Sequence, residues 1–253
     1  MAWPDEPWIL DDAAVRISII GFDDGSEQGR LLDGRRVIAI HADPTAAVDW
    51  TKAKRLKENE GICFYGSQQK GSFDISAELA AEFLAQPQVF GRNTCDVVKP
   101  SVNAKQIMQR TAATWVIDFG IDMPLEEASL YEVPFEYVKS VVYPEQKNRS
   151  KKRQQDFWWL HARPSLQYRH ILATLERYIV SPTVSKHQVF VWLDRSTLVD
   201  HACFVFAHDD DYFFGVLHSR AHELWSLRMC TWLGKGNEPR YTPTTCFEIF
   251  PLP

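Results

Sequence analysis

The amino-acid sequence predicts an α+β fold in which a mixed β-sheet packs against several helices. Short apolar runs rich in β-branched and aromatic residues, such as Ala13–Phe22 and Trp115–Phe119, are typical of buried strands. Between such runs lie segments with helical spacing of apolar side chains, such as Ala77–Leu84 and Ser165–Tyr178. The 253 residues include 9 Trp and 15 Phe, which supply enough apolar surface for a sizeable core.

The first 60 residues are predicted to contain two strands and one helix. Residues 1–12 include two prolines and are expected to form an irregular lead-in. We expect Ala13–Phe22, a mostly buried strand, to pair as a hairpin with a second strand at Arg35–His41. Ala46–Glu60 is compatible with a helix, and its charged end is most simply explained as a solvated face.

The central part of the chain is predicted to alternate short strands with helices. Ser76 is a suitable N-cap for a helix over Ala77–Leu84, because its hydroxyl can accept a hydrogen bond from the first turn. A helix is expected to start near Pro124, and Pro134 is expected to break or kink it. Further strands are predicted at Ile62–Tyr65, Ile179–Val180, Val189–Leu193 and Cys203–Ala207.

The stretch Asp209–Pro253 organises the rest of the chain. Tyr212–Phe214 is predicted to be a short strand that stops at Gly215. From Val216 onward one helix is predicted, with an apolar face that includes Leu224. A polar, glycine-rich loop follows, and the aromatic residues near the chain end are expected to be buried.

Composition and charge exclude several classes of protein. No apolar run approaches the ~20 residues of a transmembrane helix, and no secretory signal is expected. The five cysteines are widely spaced without a CxxC pair, which argues against a disulfide framework or a zinc ribbon and favours a reducing cytoplasm. A formal net charge of −5 is unlike that of most DNA-binding proteins, although a groove-reading protein needs only a local basic patch.

Few side chains are arranged for catalysis or metal binding. His218 and His222 stand four residues apart, a spacing that can place two imidazoles on one metal, but the HExxH order and a third ligand are missing. Asp209–Asp211 can supply carboxylate ligands, whereas a solvated turn is the simpler interpretation. Walker A, GxGxxG, kinase and GxSxG motifs are absent, so we assign no catalytic residue and no metal ligand.

Six sequence blocks follow one another over roughly the last 150 residues. Together they resemble the target-recognition domain of MmeI-like (type IIL) restriction-modification enzymes, which are adenine-specific DNA methyltransferases fused to a nuclease. The resemblance implies sequence-specific recognition of double-stranded DNA. The blocks are KPSVNAKQIM (Lys99–Met108), WVIDFG (Trp115–Gly120), EEASLYEVPFEYV (Glu126–Val138), RYIVSPTVSKHQVFVWL (Arg177–Leu193), FGVLHSRAHELW (Phe214–Trp225) and PRYTPTTCFEIFPLP (Pro239–Pro253).

The same resemblance implies a domain organisation and a division of labour. Residues 1–45 are expected to hold a residual hairpin of a methyltransferase sheet, and residues 46–253 the DNA target-recognition domain. The family's methyltransferase part carries a glycine-rich S-adenosylmethionine loop and an Asn-Pro-Pro-Tyr motif, and this sequence contains neither. We therefore expect no cofactor in this chain, S-adenosylmethionine in the catalytic part, and a methyltransferase or nuclease domain or subunit as partner.

Glu238 and Arg240 are the predicted base-reading residues. An arginine can bond guanine O6 and N7 as a fork, and a carboxylate can accept from cytosine N4, so the two can span one G·C pair. Family members read bases with side chains just before the closing segment, which fits this position. The alternative is an exposed loop ion pair that contributes about 0–1 kcal/mol.

Other cations are candidates for contacts with the DNA backbone. Arg220 can instead pair with Glu223, three residues further along a helix. The run Lys147–Arg153 is the strongest basic cluster, and a phosphate clamp and a solvated loop are equally compatible with it. The segment Ser101–Arg110 suits either phosphate contacts or an ordinary exposed loop. The backbone candidates are Lys105, Arg110, Lys186, His187, Arg220 and Lys235.

Two functions from other classes remain open at this point. A small metal-dependent nuclease would use Asp209–Asp211 with His218 and His222. A pure assembly scaffold of a restriction system would need none of these side chains, nor Glu238 and Arg240.

Overall fold

The structure is a computed structural model that describes residues 1–87, 90–109, 111–233 and 238–253. The chain forms two compact units. The first unit combines Met1–Glu60 with Arg220–Pro253, and the second spans Gly61–Ser219. Both contain strands and helical segments, which confirms the α+β prediction. The predicted domain boundary between residues 45 and 46 remains a prediction.

The first unit begins with a four-stranded sheet built on a hairpin. Strand β1 (Ala2–Leu10) pairs antiparallel with β2 (Ala13–Ile20). The connecting residues Asp11 and Asp12 both have positive φ, 46° and 64°, as a two-residue hairpin turn requires. The sheet is completed by β3 (Arg30–Leu32) and β4 (Arg35–Val37), in the order β2-β1-β3-β4.

Three predictions for this region are wrong. Residues 1–12 contain a strand rather than an irregular lead-in, because the two prolines fit a strand whose turn falls at Asp11–Asp12. The partner of β2 is therefore β1, and β4 pairs with β3. Most of β2 is exposed, with Ile20 at 59%. An apolar pattern identifies an apolar face, but burial requires a covering layer.

Ala46–Glu60 does not form the predicted helix. It contains two single 3₁₀ turns, Trp50–Lys52 and Lys57–Asn59, and most of its charged residues are exposed as expected for a solvated face. The neutral Asn59, which lies within this charged run, is fully buried. Its Nδ2 donates to the carbonyls of Phe247 at 2.9 Å and Phe250 at 2.7 Å, which ties this segment to the chain end.

The second unit contains two four-stranded sheets. The first consists of β5 (Cys63–Tyr65), β9 (Arg177–Pro182), β10 (Val191–Asp194) and β12 (Cys203–Phe206), in the antiparallel order β10-β9-β12-β5. The second consists of β6 (Asp74–Ser76), β7 (Val98–Val102), β8 (Thr114–Ile117) and β11 (Leu198–Val199), in the mixed order β11-β7-β8-β6. These strands confirm those predicted in this part of the chain.

The helices of the second unit agree with the sequence in part. Helix α1 (Ala77–Leu84) is capped by Ser76, whose Oγ accepts from Leu79 N at 3.2 Å, as predicted. The predicted exposed loop Ser101–Arg110 instead contains a helix, because Asn103 and Gln106 cap it by exchanging hydrogen bonds of 3.0 and 2.9 Å. The other helices are α2 (Ala104–Gln109), α3 (Leu125–Ala128), α4 (Glu132–Lys147), α5 (Lys152–Asp156), α6 (Leu166–Leu172) and α7 (Asp211–Leu217).

Two helix boundaries differ from the prediction for identifiable reasons. The helix predicted to start near Pro124 is broken before Pro134 rather than at it. Pro134 lies in the first turn of α4, where a backbone N–H has no partner within the helix, so a proline fits there. Tyr212–Phe214 is helical rather than a strand. The cause is Asp210, whose Oδ1 accepts from Phe213 N at 2.7 Å and caps α7.

The C-terminal part of the first unit packs a helix against the chain end. The predicted single helix is interrupted after Leu217, and α8 covers Arg220–Met229. Its buried positions are His222 and Ser226, while Leu224 on the predicted apolar face is 53% exposed. The face that carries His222 and Ser226 packs against a π-helical turn, Pro243–Phe247. The aromatic residues near the chain end are buried as predicted. A hairpin of β13 (Thr231–Leu233) and β14 (Glu238–Arg240) lies between them in sequence.

A buried ion pair lies in the second unit. Asp118 accepts two hydrogen bonds from the Arg169 guanidinium, at 2.6 and 3.1 Å, and lies 3.6 Å from Nδ1 of buried His161. Burial alone would raise the pKa of Asp118, but its contacts with His161 and Arg169 outweigh burial and hold it below its ordinary value. Because burial lowers the pKa of His161, Arg169 supplies the charge near neutral pH.

We predict that His161 makes the stability of the chain depend on pH below its ordinary pKa of 6.5. The folded state keeps this imidazole neutral, whereas the unfolded chain binds a proton as the pH falls through that value, so stability is lost on acidification. In urea unfolding, the His161→Gln variant should lose less free energy of unfolding between pH 7.5 and 5.5 than the parent does. Replacing the exposed His170 with Gln should leave the loss unchanged. Equal losses in all three proteins would contradict the prediction.

We also predict that Asn59→Ala lowers the free energy of unfolding by about 1–3 kcal/mol, because two buried carbonyls lose their donor. Asn59→Asp should cost more, since a carboxylate would face the carbonyls of Phe247 and Phe250. Urea denaturation followed by tryptophan fluorescence measures both. The neighbouring, exposed Glu58→Ala is the control, with an expected change within about 0.5 kcal/mol. An Asn59→Ala variant as stable as this control would refute the assignment.

Candidate nucleic-acid interface

The most exposed regular element near the chain end is the ribbon formed by β13 and β14. The register pairs Thr231 with Arg240, Trp232 with Pro239 and Leu233 with Glu238. All three residues of β13 are exposed, and Trp232 is 49% exposed. Such an arrangement is unusual for apolar residues in a packed sheet, so the ribbon is available to contact another molecule.

Glu238 and Arg240 lie on the same face of this ribbon. They are two residues apart in one strand, and side chains alternate between the two faces with that period. Both are exposed, and among the described residues neither forms an ion pair. Trp232 and Pro239 occupy the opposite face. The pair therefore presents one carboxylate and one guanidinium side by side, with their hydrogen-bonding groups open to a ligand.

The residue after the ribbon anchors it in the core of the first unit. Tyr241 is buried, and its hydroxyl lies 3.1 Å from Nε2 of buried His222 on α8. The ring of His222 also packs edge-on against Phe250, with centroids 4.8 Å apart. On the next turn of α8, the carbonyl of Ser226 accepts the Cys246 thiol at 3.7 Å. Helix α8 and the chain end thus hold the base of the ribbon in place.

Two further arginines of the first unit are engaged in ion pairs. Arg220 Nη1 lies 2.6 Å from Glu223 Oε2, which is the alternative that the helical spacing allowed. This exposed pair stabilises the fold little. Arg228 contacts Asp43 at 3.1 Å and lies over the ring of Trp50. Arg240, in contrast, forms no ion pair among the described residues.

The remaining backbone candidates lie in the second unit or outside the described residues. Lys105 is exposed on α2. Lys186 and His187 are exposed in the loop between β9 and β10, where Ser185 Oγ donates to the carbonyl of His187 at 2.7 Å. Arg110 and Lys235 fall outside the described residues.

The side chains considered for metal binding are separated or occupied. His218 ends α7 and is exposed, with Nδ1 3.1 Å from the Phe214 carbonyl, whereas His222 is buried in the other unit. Asp210 caps α7, and Asp211 forms an ion pair with Arg177 at 2.8 Å. Within residues 1–87, 90–109, 111–233 and 238–253, no group of three His, Cys, Asp or Glu side chains is placed to hold a metal. No helix among those residues is both long and apolar enough to cross a bilayer.

Glu238 and Arg240 stay predictions from the sequence, and the ribbon that carries them was not predicted. The signal was present, because Thr231–Leu233 is a short β-favouring run followed by a glycine-containing polar segment, a pattern typical of a hairpin. Trp232, which the sequence analysis did not single out, is an additional candidate for contact, since it is large and half exposed.

Comparisons with known proteins show what this chain is similar to. A family model described as "MmeI, target recognition domain" matches residues 87–253. A solved structure of the Type IIL restriction-modification enzyme MmeI in complex with DNA is similar, with a TM-score of 0.69 and 16% sequence identity. That match covers 98% of this chain and 34% of the MmeI chain, so this chain spans about a third of the solved protein's length. At this identity the likeness shows a shared fold. No curated protein sequence matches the chain.

We predict that the Cys230 thiol, one residue before the ribbon, resists alkylation. Burial raises its pKa to about 11, and neighbouring Cys246 adds to the effect. Because the thiolate is the reactive form, iodoacetamide at pH 8 should modify exposed Cys95 well before Cys230, as followed by peptide mass spectrometry. In urea all five thiols should react. Equal rates for the two thiols in the native protein would show that the base of the ribbon is packed differently.

Proposed function

The chain belongs to the MmeI target recognition domain family, and on this basis we propose that it selects a specific sequence in double-stranded DNA. The observation that carries the proposal is the exposed ribbon on which Glu238 and Arg240 share one face without an ion-pair partner among the described residues. Methyl transfer and any DNA cleavage would be carried out by a methyltransferase or nuclease domain or subunit. That catalytic part would bind S-adenosylmethionine.

The shape of the ribbon supports this role. The major groove of B-DNA is about 12 Å wide and admits a two-stranded β-ribbon. The ribbon of β13 and β14 consists of two short paired strands with exposed side chains, which is the form such a groove accepts. In the major groove each base pair shows a distinct pattern of donors and acceptors. A side chain at the ribbon face can therefore discriminate between bases.

The chemistry of the two side chains supports recognition of a G·C pair. The Arg240 guanidinium can donate to O6 and N7 of guanine in a bidentate arrangement. The Glu238 carboxylate can accept from N4 of the paired cytosine. Arg240 is suited to this task, because among the described residues it has no ion pair to break before DNA binds.

Backbone contacts are proposed for Lys105, Lys186 and His187, each of which is exposed in the second unit. Arg220 is a weaker candidate, because it would have to exchange Glu223 for a phosphate. Arg110 and Lys235 stay predictions from the sequence. Such contacts position a protein on DNA without reading its sequence. We further propose a cytoplasmic location, consistent with five free cysteines.

We predict that Arg240→Ala abolishes the preference for one G·C pair. The preferred duplex would be selected from a random pool by the full chain, and each base pair would then be substituted in turn. The variant should lose about 5- to 150-fold discrimination at one position, which corresponds to about 1–3 kcal/mol, and should keep its preferences elsewhere. Glu238→Ala should relax the same position.

The matched control is Arg36→Ala, which removes another exposed arginine of the first unit that forms no ion pair among the described residues. It should leave discrimination intact. Failure of the parent chain to enrich any duplex would refute the proposed function. Unchanged discrimination in both Arg240→Ala and Glu238→Ala would refute their assignment and favour a scaffold role for the ribbon.

A further inference from the structure

Four cationic residues line one pocket of the second unit. The pocket has a volume of about 470 Å³, and its cations are Lys70, Lys151, Arg153 and Arg163. Gln68 and Gln154 add neutral amides to the lining, and no acidic residue lines it. The basic run Lys147–Arg153 is thereby divided, because its members Lys151 and Arg153 face this pocket while Lys147 and Arg149 do not line it.

The walls of the pocket are held by backbone hydrogen bonds between segments distant in sequence. Gln68 N donates to the Arg163 carbonyl at 2.9 Å, and Arg163 N donates back to Gln68 at 3.0 Å. Lys70 has a left-handed backbone, with φ of 63°, and its carbonyl accepts Nε2 of the buried Gln146 at 2.5 Å. A conformation that few non-glycine residues adopt is thus held by a buried partner.

The buried ion pair of the second unit lies directly behind this wall. Arg169, which binds Asp118, also donates from Nε to the Pro164 carbonyl at 2.7 Å and from Nη2 to Ser67 Oγ at 3.3 Å. Ser67 and Pro164 are the chain neighbours of Gln68 and Arg163. The same network that fixes the interior therefore fixes two of the three segments that line the pocket.

Arg153 is held in the pocket by its own contacts. Its Nη1 donates to the Ala162 carbonyl at 2.9 Å, and its guanidinium lies over the ring of Phe157, 6.0 Å from the centroid. One side of the guanidinium is thus occupied, which orients the group and leaves its remaining donors for a ligand. A guanidinium has five donors in a planar fork that matches phosphate oxygens.

The other three cations, Lys70, Lys151 and Arg163, form no ion pair among the described residues. Like charges gathered in one concavity repel each other, and an anion inside it would relieve that repulsion.

We propose that this pocket binds a phosphate group of the DNA backbone. The inference rests on the proposed function, since it names a contact with the DNA that the chain is proposed to select. Lys70 and Lys151 supply point charges, while Arg153 and Arg163 supply forked donors to the phosphate oxygens. Because every nucleotide carries the same phosphate, the pocket adds affinity and orientation but no preference for sequence.

The test is a double variant, Lys151→Gln with Arg163→Gln, in the full chain. Both residues are exposed, so the substitutions remove charge without opening the core. Affinity for every duplex should fall by a similar factor. The slope of log K against log salt should become shallower by about 0.9, because the variant neutralises one phosphate fewer than the parent. The ratio of affinities for preferred and altered duplexes should stay unchanged.

The matched control is Lys139→Gln with Arg195→Gln, which removes the same charges from exposed positions of the same unit outside the pocket. It should reproduce the parent's slope and affinity. Circular dichroism melting verifies that both variants are folded.

Several outcomes separate this inference from the proposed function. If the parent selects one duplex and the pocket variant keeps the parent's affinity and slope, the pocket inference is overturned while the function stands. If the parent selects no duplex but its salt slope still depends on the pocket, the function fails and the pocket inference is supported. If inorganic phosphate stabilises the parent but not the variant, while both bind duplex equally, the pocket takes free anions and the inference is overturned.

Discussion

The burial of Tyr241 is the constraint on which the exposed ribbon depends. Its ring lies in the core against His222, while its chain neighbour Arg240 stays in solvent. Because successive side chains of a strand point in opposite directions, fixing Tyr241 inside also directs Arg240 outward. Glu238, two residues earlier, follows Arg240 to the same face. A single aromatic contact therefore sets the direction in which two charged groups are displayed.

The core around this contact uses polar residues where apolar ones were expected. Along α8 the buried positions are His222, whose ring meets the hydroxyl of Tyr241, and Ser226, whose backbone carbonyl accepts the thiol of Cys246. Directional contacts of this kind fix one orientation, whereas apolar side chains of similar size tolerate several. The cost is that each buried polar group needs its partner. A helix end that must hold a functional element in one orientation gains from this arrangement.

The sequence predicted local structure well where one residue decides it. Ser76 caps α1 because its hydroxyl reaches the first turn, and Arg220 pairs with Glu223 because their helical spacing allows it. Pairing of strands was predicted less well. Two segments could have paired with β2, and the turn at Asp11–Asp12 determines which one does. The local pattern of apolar and polar residues does not determine which strands pair.

The candidate site was predicted as residues but not as a surface. Glu238 and Arg240 came from a resemblance and from base-pair chemistry, whereas the hairpin that displays them follows from pairing with Thr231–Leu233. The basic pocket was beyond prediction for a similar reason. Lys70 and Arg163 are far apart in sequence, and backbone hydrogen bonds such as those between Gln68 and Arg163 bring them together.

The exposure of the ribbon has a consequence for how this chain can change over generations. Replacing Glu238 or Arg240 opens no cavity and strands no buried partner, so such changes leave folding nearly intact. Substitutions at these two positions therefore do not disturb the contact between Tyr241 and His222. Related proteins can keep the same fold while these two ribbon residues differ, and natural sequence variation should concentrate at them.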